Sequence, residues 1–303
     1  SPNYLVIMAG RIISALSGAL LTILCLVMAP KMVKSHYRGR AIGVISMGVS
    51  GALVLGVPIG LVLGNAYGWR APFVLISLLT LLSIIGVHLW MNPIEPEKQV
   101  PISTQLRSLK NKKSLFALLT TLLYMTGHTA LYAYLKPFLR ETMQLDGTWV
   151  SIVYFIFGVA AVSGGAIGGA MADVFGSKQT IIISLLIFIA TLIAVPLTTT
   201  FIPAFLLVTI VWGILSWAIS PAMQSYLIES SPKTGSILQS LNNSALHLGV
   251  ASGSFIGGIV IAWTSVVNNA WIGSIFILLS VVTMIISLKL KPEISEEKHT
   301  INQ

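Results

Sequence analysis

Four groups of polar side chains sit inside apolar stretches of this sequence at helical spacing. They are Arg11, Ser14, Gly18, Thr22 and Cys25; Thr121, Tyr124, His128 and Tyr132; Thr209, Trp212, Ser216, Ser220 and Gln224; and Ser236, Gln239, Asn243, His247 and Ser254. Residues three and four apart share one face of a helix. Polar groups within a membrane segment are costly and face a cavity or a partner helix. Brought together, these faces would offer amide donors and acceptors, two imidazoles and aromatic planes. That set suits a planar, hydrogen-bonding heterocycle such as a purine, and it suits a sugar as well. The plainer alternative is structural: Ser and Thr bond their own i−4 carbonyls or let helices pack closely, a buried histidine can be a satisfied core residue, and Tyr124 and Trp212 can be core aromatics. Arg11 is the sharpest case, because a guanidinium keeps its proton and needs a partner. No Asp or Glu stands in the middle of an apolar stretch, so its partner is expected to be a carbonyl, a hydroxyl, or an acid on helices that precede this segment. The same absence argues against an intramembrane enzyme. So does the lack of His-Glu-x-x-His and Gly-x-Ser-x-Gly. No Gly-x-x-x-x-Gly-Lys-Ser/Thr occurs, so energy is expected from an ion gradient or the substrate itself. With Cys25 alone, no disulfide or Cys-rich metal site forms, and no cofactor or metal is expected.

The elements that must carry these groups are nine apolar segments, 4–29, 41–64, 71–91, 114–138, 149–172, 179–196, 201–224, 236–262 and 268–288. A membrane-crossing helix takes roughly 20 apolar residues, and backbone polar groups in hydrocarbon must satisfy one another. Barrel strands alternate; Ile181 to Val195 does not. Only 9% of the 303 residues are charged and 55% are hydrophobic, against about 25% charged in soluble domains. The expectation is an all-α polytopic membrane protein. The net charge of +9 follows the positive-inside rule and does not point to nucleic acid. Lys31, Lys34, Arg38, Arg40, Lys98, Arg107, Lys110, Lys112, Lys113, Lys178, Lys233, Lys289, Lys291 and Lys298 fall on one side, against Arg70, Lys136 and Arg140 on the other. This places the C-terminus in the cytoplasm and residue 1 outside. The N-terminus, which opens on Ser1 and runs straight into a span, reads as an internal cut.

The second and eighth segments resemble each other. Gly56-Val-Pro-Ile-Gly60 matches Gly253-Ser-Phe-Ile-Gly257 at an offset of 197 residues, or six spans. Repeats of whole helical bundles are a transporter feature. The reading is of two six-span halves. Residues 1–91 hold the last three helices of the first half, and 92–113 form a cytoplasmic connection, either a solvated linker or an inner-leaflet amphipathic helix. Residues 114–288 form the six-helix second half, and 289–303 form a cytoplasmic tail. Three helices of an expected twelve would precede residue 1. Gly56, Gly60 and Gly64, Gly164 with Gly168, and Gly249 with Gly253 make small-xxx-small steps for close helix approach, and Pro58 removes one backbone bond.

These residues resemble the major facilitator superfamily, specifically its drug:proton antiporter-1 branch. Arg11 through Gly18 is similar to the fourth family helix. Gly48, Gly51, Gly56, Pro58, Gly60 and Gly64 resemble the antiporter motif of the fifth, except that Val57 separates the usual Gly-Pro pair. Gly169-Ala-Met-Ala-Asp173-Val-Phe-Gly176-Ser-Lys178 resembles the loop motif after the eighth. Tyr37–Gly43, Gly127–Tyr134, Trp212–Trp217 and Gln239–Leu246 are similar to bacterial purine base and nucleoside efflux pumps, and sugar exporters of the branch share part of this. The resemblance implies a monomeric, proton-coupled exporter in a bacterial inner membrane, working by alternating access. Its partners would be the bilayer, a small-molecule substrate and protons. Arg11, Tyr124, His128, Tyr132, Trp212, Gln224, Gln239, Asn243 and His247 are the expected pathway residues. Gly48, Gly56, Pro58, Gly60, Gly64, Gly169, Asp173, Gly176 and Lys178 are the expected conformational motif, with Asp173 capping a helix end or latching the outward-facing state.

Overall fold

The computed structural model describes residues 4–32, 38–91, 111–231 and 234–290. The basic connection at 92–110 and the tail from 291 lie outside them, and with them the expected linker and the inner charges Lys98, Arg107, Lys110, Lys291 and Lys298. The described residues form ten helices and no strand: α1 (Tyr4–Met32), α2 (Arg38–Tyr67), α3 (Ala71–Trp90), α4 (Lys112–Tyr132), α5 (Leu135–Met143), α6 (Thr148–Phe175), α7 (Ser177–Leu197), α8 (Ile202–Ser230), α9 (Gly235–Trp263) and α10 (Asn268–Lys289).

Seven of these are long and apolar enough to cross a membrane among the described residues: α3, α4, α6, α7, α8, α9 and α10. The sequence reading expects nine. In α1 and α2 the described apolar stretches, Tyr4–Gly18 and Val54–Tyr67, fall short of a span by themselves. A correction concerns the segment read as 114–138, which is broken. Helix α4 ends at Tyr132, the chain turns at Ala133 and Tyr134, and α5 begins at Leu135. Pro137 explains the break. It has no N–H for the Ala133 carbonyl, and its ring would collide with that carbonyl in a continuous helix. In the first turn of a new helix the missing donor costs nothing. Pro58, by contrast, is carried inside α2 without interruption.

Every fully buried residue among those described lies between Lys113 and Ser287. The core is therefore the bundle of α4 to α10; α2 leans on α6, while α1 and α3 lean on α2. Helix α4 is clasped between α9 and α10, α8 between α6 and α7, and α7 meets α10 to close the bundle. Lipid tails are as apolar as leucine, so burial of apolar surface does not draw these helices together; close packing does. Glycine supplies it. Gly249, Gly253 and Gly257 on α9 press on the carbonyls of Leu122, Thr126 and Ala130 of α4, and a methyl at Gly257 would stand 2.6 Å from the Ala130 oxygen. Gly127 and Gly273 face one another between α4 and α10. Gly164 and Gly168 seat the Ile214 and Ala218 backbone of α8 against α6. Among the described residues a methyl at Gly56 or Gly60 would meet nothing within 4 Å, and one at Gly64 would reach only the Pro72 ring.

One end of the bundle is tied by a cation. Asn111 caps α4, accepting from the Lys113 and Ser114 amides at 2.9 and 3.4 Å. This holds Lys113, 6% exposed, where its ammonium donates to the Ser287 and Leu290 carbonyls at 3.2 and 3.0 Å. These are the orphan carbonyls at the end of α10, where a positive charge also meets the negative end of the helix dipole. The Tyr226 ring lies 5.4 Å from the ammonium, and the Tyr226 hydroxyl is paired with Ser287 Oγ at 2.9 Å. Two charge-assisted bonds at about 1.5–3 kcal/mol each make Lys113→Met a destabilising change. Purified protein should melt several degrees lower in detergent, with Lys113→Arg intermediate. Unchanged melting of Lys113→Met would show that the carbonyls are equally well served by water.

Candidate functional site

Helical periodicity sets Tyr124, His128 and Tyr132 in line on α4, and aromatic side chains reaching in from α6, α7 and α8 enclose His128. The imidazole is 6% exposed. It stacks on Tyr132 (centroids 5.3 Å, planes 21° apart) and on Phe157 of α6 (6.0 Å, 16°), and meets Phe188 of α7 at 6.1 Å. The Trp212 indole of α8 stands edge-on to His128 at 5.8 Å and to Phe157 at 5.1 Å. Tyr154 closes the group on the far side of Tyr132 at 5.7 Å. Offset and edge-to-face arrangements at these separations add stabilisation to area burial.

Hydrogen bonding orders the histidine. Trp212 Nε1–H donates to His128 Nδ1 at 3.1 Å. An indole N–H can only donate, so Nδ1 carries a lone pair, and the neutral ring holds its proton on Nε2. Ser216 Oγ lies 3.2 Å from the same Nδ1 and donates to the Trp212 carbonyl at 2.6 Å. Tyr124 is fully buried one turn away, its hydroxyl without a hydrogen-bond partner among the described residues. What results is a hydrogen-bonded polar pair packed inside a cluster of aromatic rings, of which Tyr132 is the partly exposed member.

A second polar contact ties α9 to α4. Thr121 Oγ1 donates to Asn242 Oδ1 at 2.6 Å, both residues being buried. Asn242→Leu would leave the Thr121 hydroxyl unpartnered, at a cost of about 1–3 kcal/mol. The double change with Thr121→Val should destabilise less than the sum of the single changes, a difference readable in thermal unfolding. Strict additivity would remove the pair as a unit.

The sequence-predicted residues divide by position. His128, Tyr124, Tyr132 and Trp212 come together. Asn243 and His247 are exposed on α9, Gln239 is half-buried on the same helix, and Gln224 is exposed on α8. His128 and Asn243 therefore do not share one enclosed space here; Asn242, one residue earlier, takes the inward position. Arg11 is exposed on α1 with its guanidinium 5.8 Å above the Phe73 ring. Among the described residues the partner seen is thus an aromatic face. Cys25 is exposed and free. Gly48 and Gly56 are exposed on α2, and Pro58, Gly60 and Gly64 are partly covered.

The loop motif has a clearer local logic. Gly176 adopts φ +83°, ψ 151° between α6 and α7, a conformation L side chains rarely take. This lets α7 start one residue after α6 stops. Asp173 and Lys178 are exposed on either side, and Gly169 meets nothing within 4 Å. The acid that does engage this corner is Glu229 at the end of α8, accepting from Ser177 Oγ at 2.8 Å.

Asn242, Phe157, Tyr154, Phe188 and Glu229 were missed by a search for polar stripes. For two of them a signal exists. Asn242 lies seven residues, two turns, before Gly249, and Phe157 lies seven before Gly164. Each shares the glycine face that presses on a neighbouring helix.

Comparison with known proteins agrees with this architecture. An uncharacterized MFS-type transporter of Bacillus subtilis (strain 168), YbcL, is 29% identical over 292 residues, spanning 96% of this chain and 75% of that protein. A "Probable sugar efflux transporter" of Mannheimia succiniciproducens is 24% identical over 285 residues, 94% of this chain and 71% of that one. The fold matches a bacterial homologue of the iron transporter ferroportin, solved in an outward-facing state. The TM-score is 0.58 at 17% identity, covering 87% of this chain and 67% of the other. The family profile described as Major Facilitator Superfamily matches residues 1–236 and 117–302, and the chain belongs to that superfamily of membrane transporters.

Proposed function

We propose that the protein exports small, flat, polar solutes, purine bases or nucleosides, across a bacterial plasma membrane in exchange for protons. In this reading nine helices cross the membrane with the C-terminus inside. Residues 1–91 and 114–288 belong to two pseudo-symmetric halves that rock as a drug:proton antiporter of the superfamily does. One observation carries the substrate class. The stretches Gly127–Tyr134 and Trp212–Trp217, each similar to purine exporters, meet at His128 and Trp212, where stacked rings surround a hydrogen-bonding pair. A third such stretch, Gln239–Leu246, reaches α4 through Asn242. An aromatic box selects for planar solutes, and nitrogen-rich rings both stack and bond. Gln239, Asn243 and His247 line the pathway on the open side of α9, because amide and imidazole groups facing hydrocarbon would be costly. Arg11 and Gln224 mark its edges.

The sugar reading has its own support, the 24% identity to the Mannheimia protein, since hydroxyl-rich rings also pack on aromatic faces. Everted membrane vesicles containing the protein separate the two. Labelled hypoxanthine should accumulate under an imposed proton gradient and leak out when a protonophore is added. Accumulation of a labelled hexose alone would favour the sugar reading. Accumulation of neither, in vesicles where the protein is present and folded, would sink the exporter reading.

A further inference from the structure

We propose that His128 is a proton-binding site of the transport cycle, and that taking up a proton moves its Nδ1 from accepting the Trp212 N–H to donating to Ser216 Oγ. The role in coupling rests on the exporter reading; the hydrogen-bond exchange rests on geometry alone. In the structure Nδ1 accepts from Trp212 Nε1 at 3.1 Å. A second proton on the ring must go to Nδ1, because Nε2 already carries one. Two donors would then face each other, and the indole N–H must leave. Ser216 Oγ, 3.2 Å from Nδ1, can take over as acceptor. Its own hydrogen is committed to the Trp212 carbonyl at 2.6 Å, which leaves its lone pairs free. The proton count closes: one proton enters from water, no other group loses one, and one hydrogen bond is exchanged for another.

The surroundings suit both charge states. The charged ring would lie beside the touching rings of Tyr132 and Phe157, with centroids 5.3 and 6.0 Å away, within the roughly 6 Å at which aromatic rings attract cations. No carboxylate pairs with it among the described residues. On α4 itself the titratable neighbours are Tyr124 and Tyr132, with Lys113 at the far end. From α6 comes Tyr154, which touches Tyr132, while Asp173 lies at that helix's last turn. Helix α7 faces the histidine with Phe188; its only charged residue, Lys178, is exposed at its start. Helix α8 offers Trp212 and Ser216, with Tyr226 and Glu229 near its other end. The His247 imidazole of α9 is exposed, and α10 carries only Lys289 at its terminus. The indole that is released also packs edge-on against Phe157 and Tyr132. Freeing its N–H thus alters the box on which a solute would stack, and this links proton to substrate.

The test uses the whole chain in nanodiscs, with indole-15N tryptophan. The Trp212 resonance is identified by its loss in Trp212→Phe. Acidification should move the Trp212 indole N–H to the shift of an unbonded indole in wild type. In His128→Gln, where the amide oxygen can still accept but cannot take a proton, the resonance should stay put. A Trp212 resonance that is indifferent to pH, or that moves equally in His128→Gln, overturns the proposal. The second arm measures hypoxanthine in vesicles. In His128→Gln the ratio of gradient-driven accumulation to gradient-free counterflow should fall by 10-fold or more. Full gradient-driven accumulation in His128→Gln also overturns it. A pH-moved Trp212 resonance in a protein that carries no purine would uphold the proton site and sink the exporter reading instead.

Discussion

Gly168→Leu is expected to abolish assembly of the bundle. At this position even a single added carbon would collide with the backbone of Ala218, including its carbonyl oxygen. A backbone cannot yield as the end of a flexible side chain can, so α6 and α8 must separate along their whole contact. Gly164 meets Ile214 in the same way one turn earlier, which leaves no room to slide the two helices and recover the packing. Overpacking a well-filled core costs typically about 1–3 kcal/mol, and a clash with main chain lies at or above that. Because membrane helices associate by fit, most of the driving force for this pair is lost too. Gly168→Leu should therefore express poorly and elute as aggregate in detergent, and Gly168→Ala should give a folded protein that melts well below wild type. Gly165→Ala, at a position with open space around it, should behave as wild type. A well-folded Gly168→Leu protein would mean that α6 and α8 are farther apart than described.

The second large effect is expected for Trp212→Ala. Trp212 is fully buried, touches His128, Phe157 and Tyr132 by its ring, and donates the hydrogen bond that orders His128. Truncating a buried Trp costs typically about 3–5 kcal/mol. The unpaired Nδ1 adds the penalty of an unsatisfied acceptor, about 1–3 kcal/mol. Stability should fall by an amount readable as a large drop in melting temperature. Solute export should fall further than stability explains, because the stacking wall is gone. Trp212→Phe keeps most of the volume and loses only the donor, so its melting temperature should lie much nearer wild type. If Trp212→Ala transports normally at a temperature where it is folded, the aromatic box is packing and not a pathway.

Several features were legible in the chain because they follow from its solvent. A sequence this apolar must satisfy its backbone within each segment, so helices were dictated wherever roughly 20 such residues ran together. The boundaries of α6, α7, α9 and α10 fall within three residues of the expected ones. The alignment of Tyr124, His128 and Tyr132 follows from the helical period alone, and so does that of Trp212 with Ser216. The glycine pairs at 164/168 and 249/253 announced close contacts, which the structure places against α8 and α4.

What one dimension left open was rotation and partnership. Neighbouring residues on a helix point about 100° apart, so the pattern around Asn242 and Asn243 does not say which amide turns inward. Seating Gly249, Gly253 and Gly257 on the carbonyls of α4 fixes the rotation of α9. That brings Asn242 to Thr121 and leaves Asn243 and His247 outside. The walls of the box, Phe157 from α6 and Phe188 from α7, are ordinary apolar residues in their own segments, and only the closing of the bundle brings their rings to His128. The cation Lys113 had no acid to find in the sequence. Its partners are backbone carbonyls at the end of α10, 174 and 177 residues away. Backbone groups carry no side-chain identity that a sequence can display, so a site built from them exists only once the fold has closed.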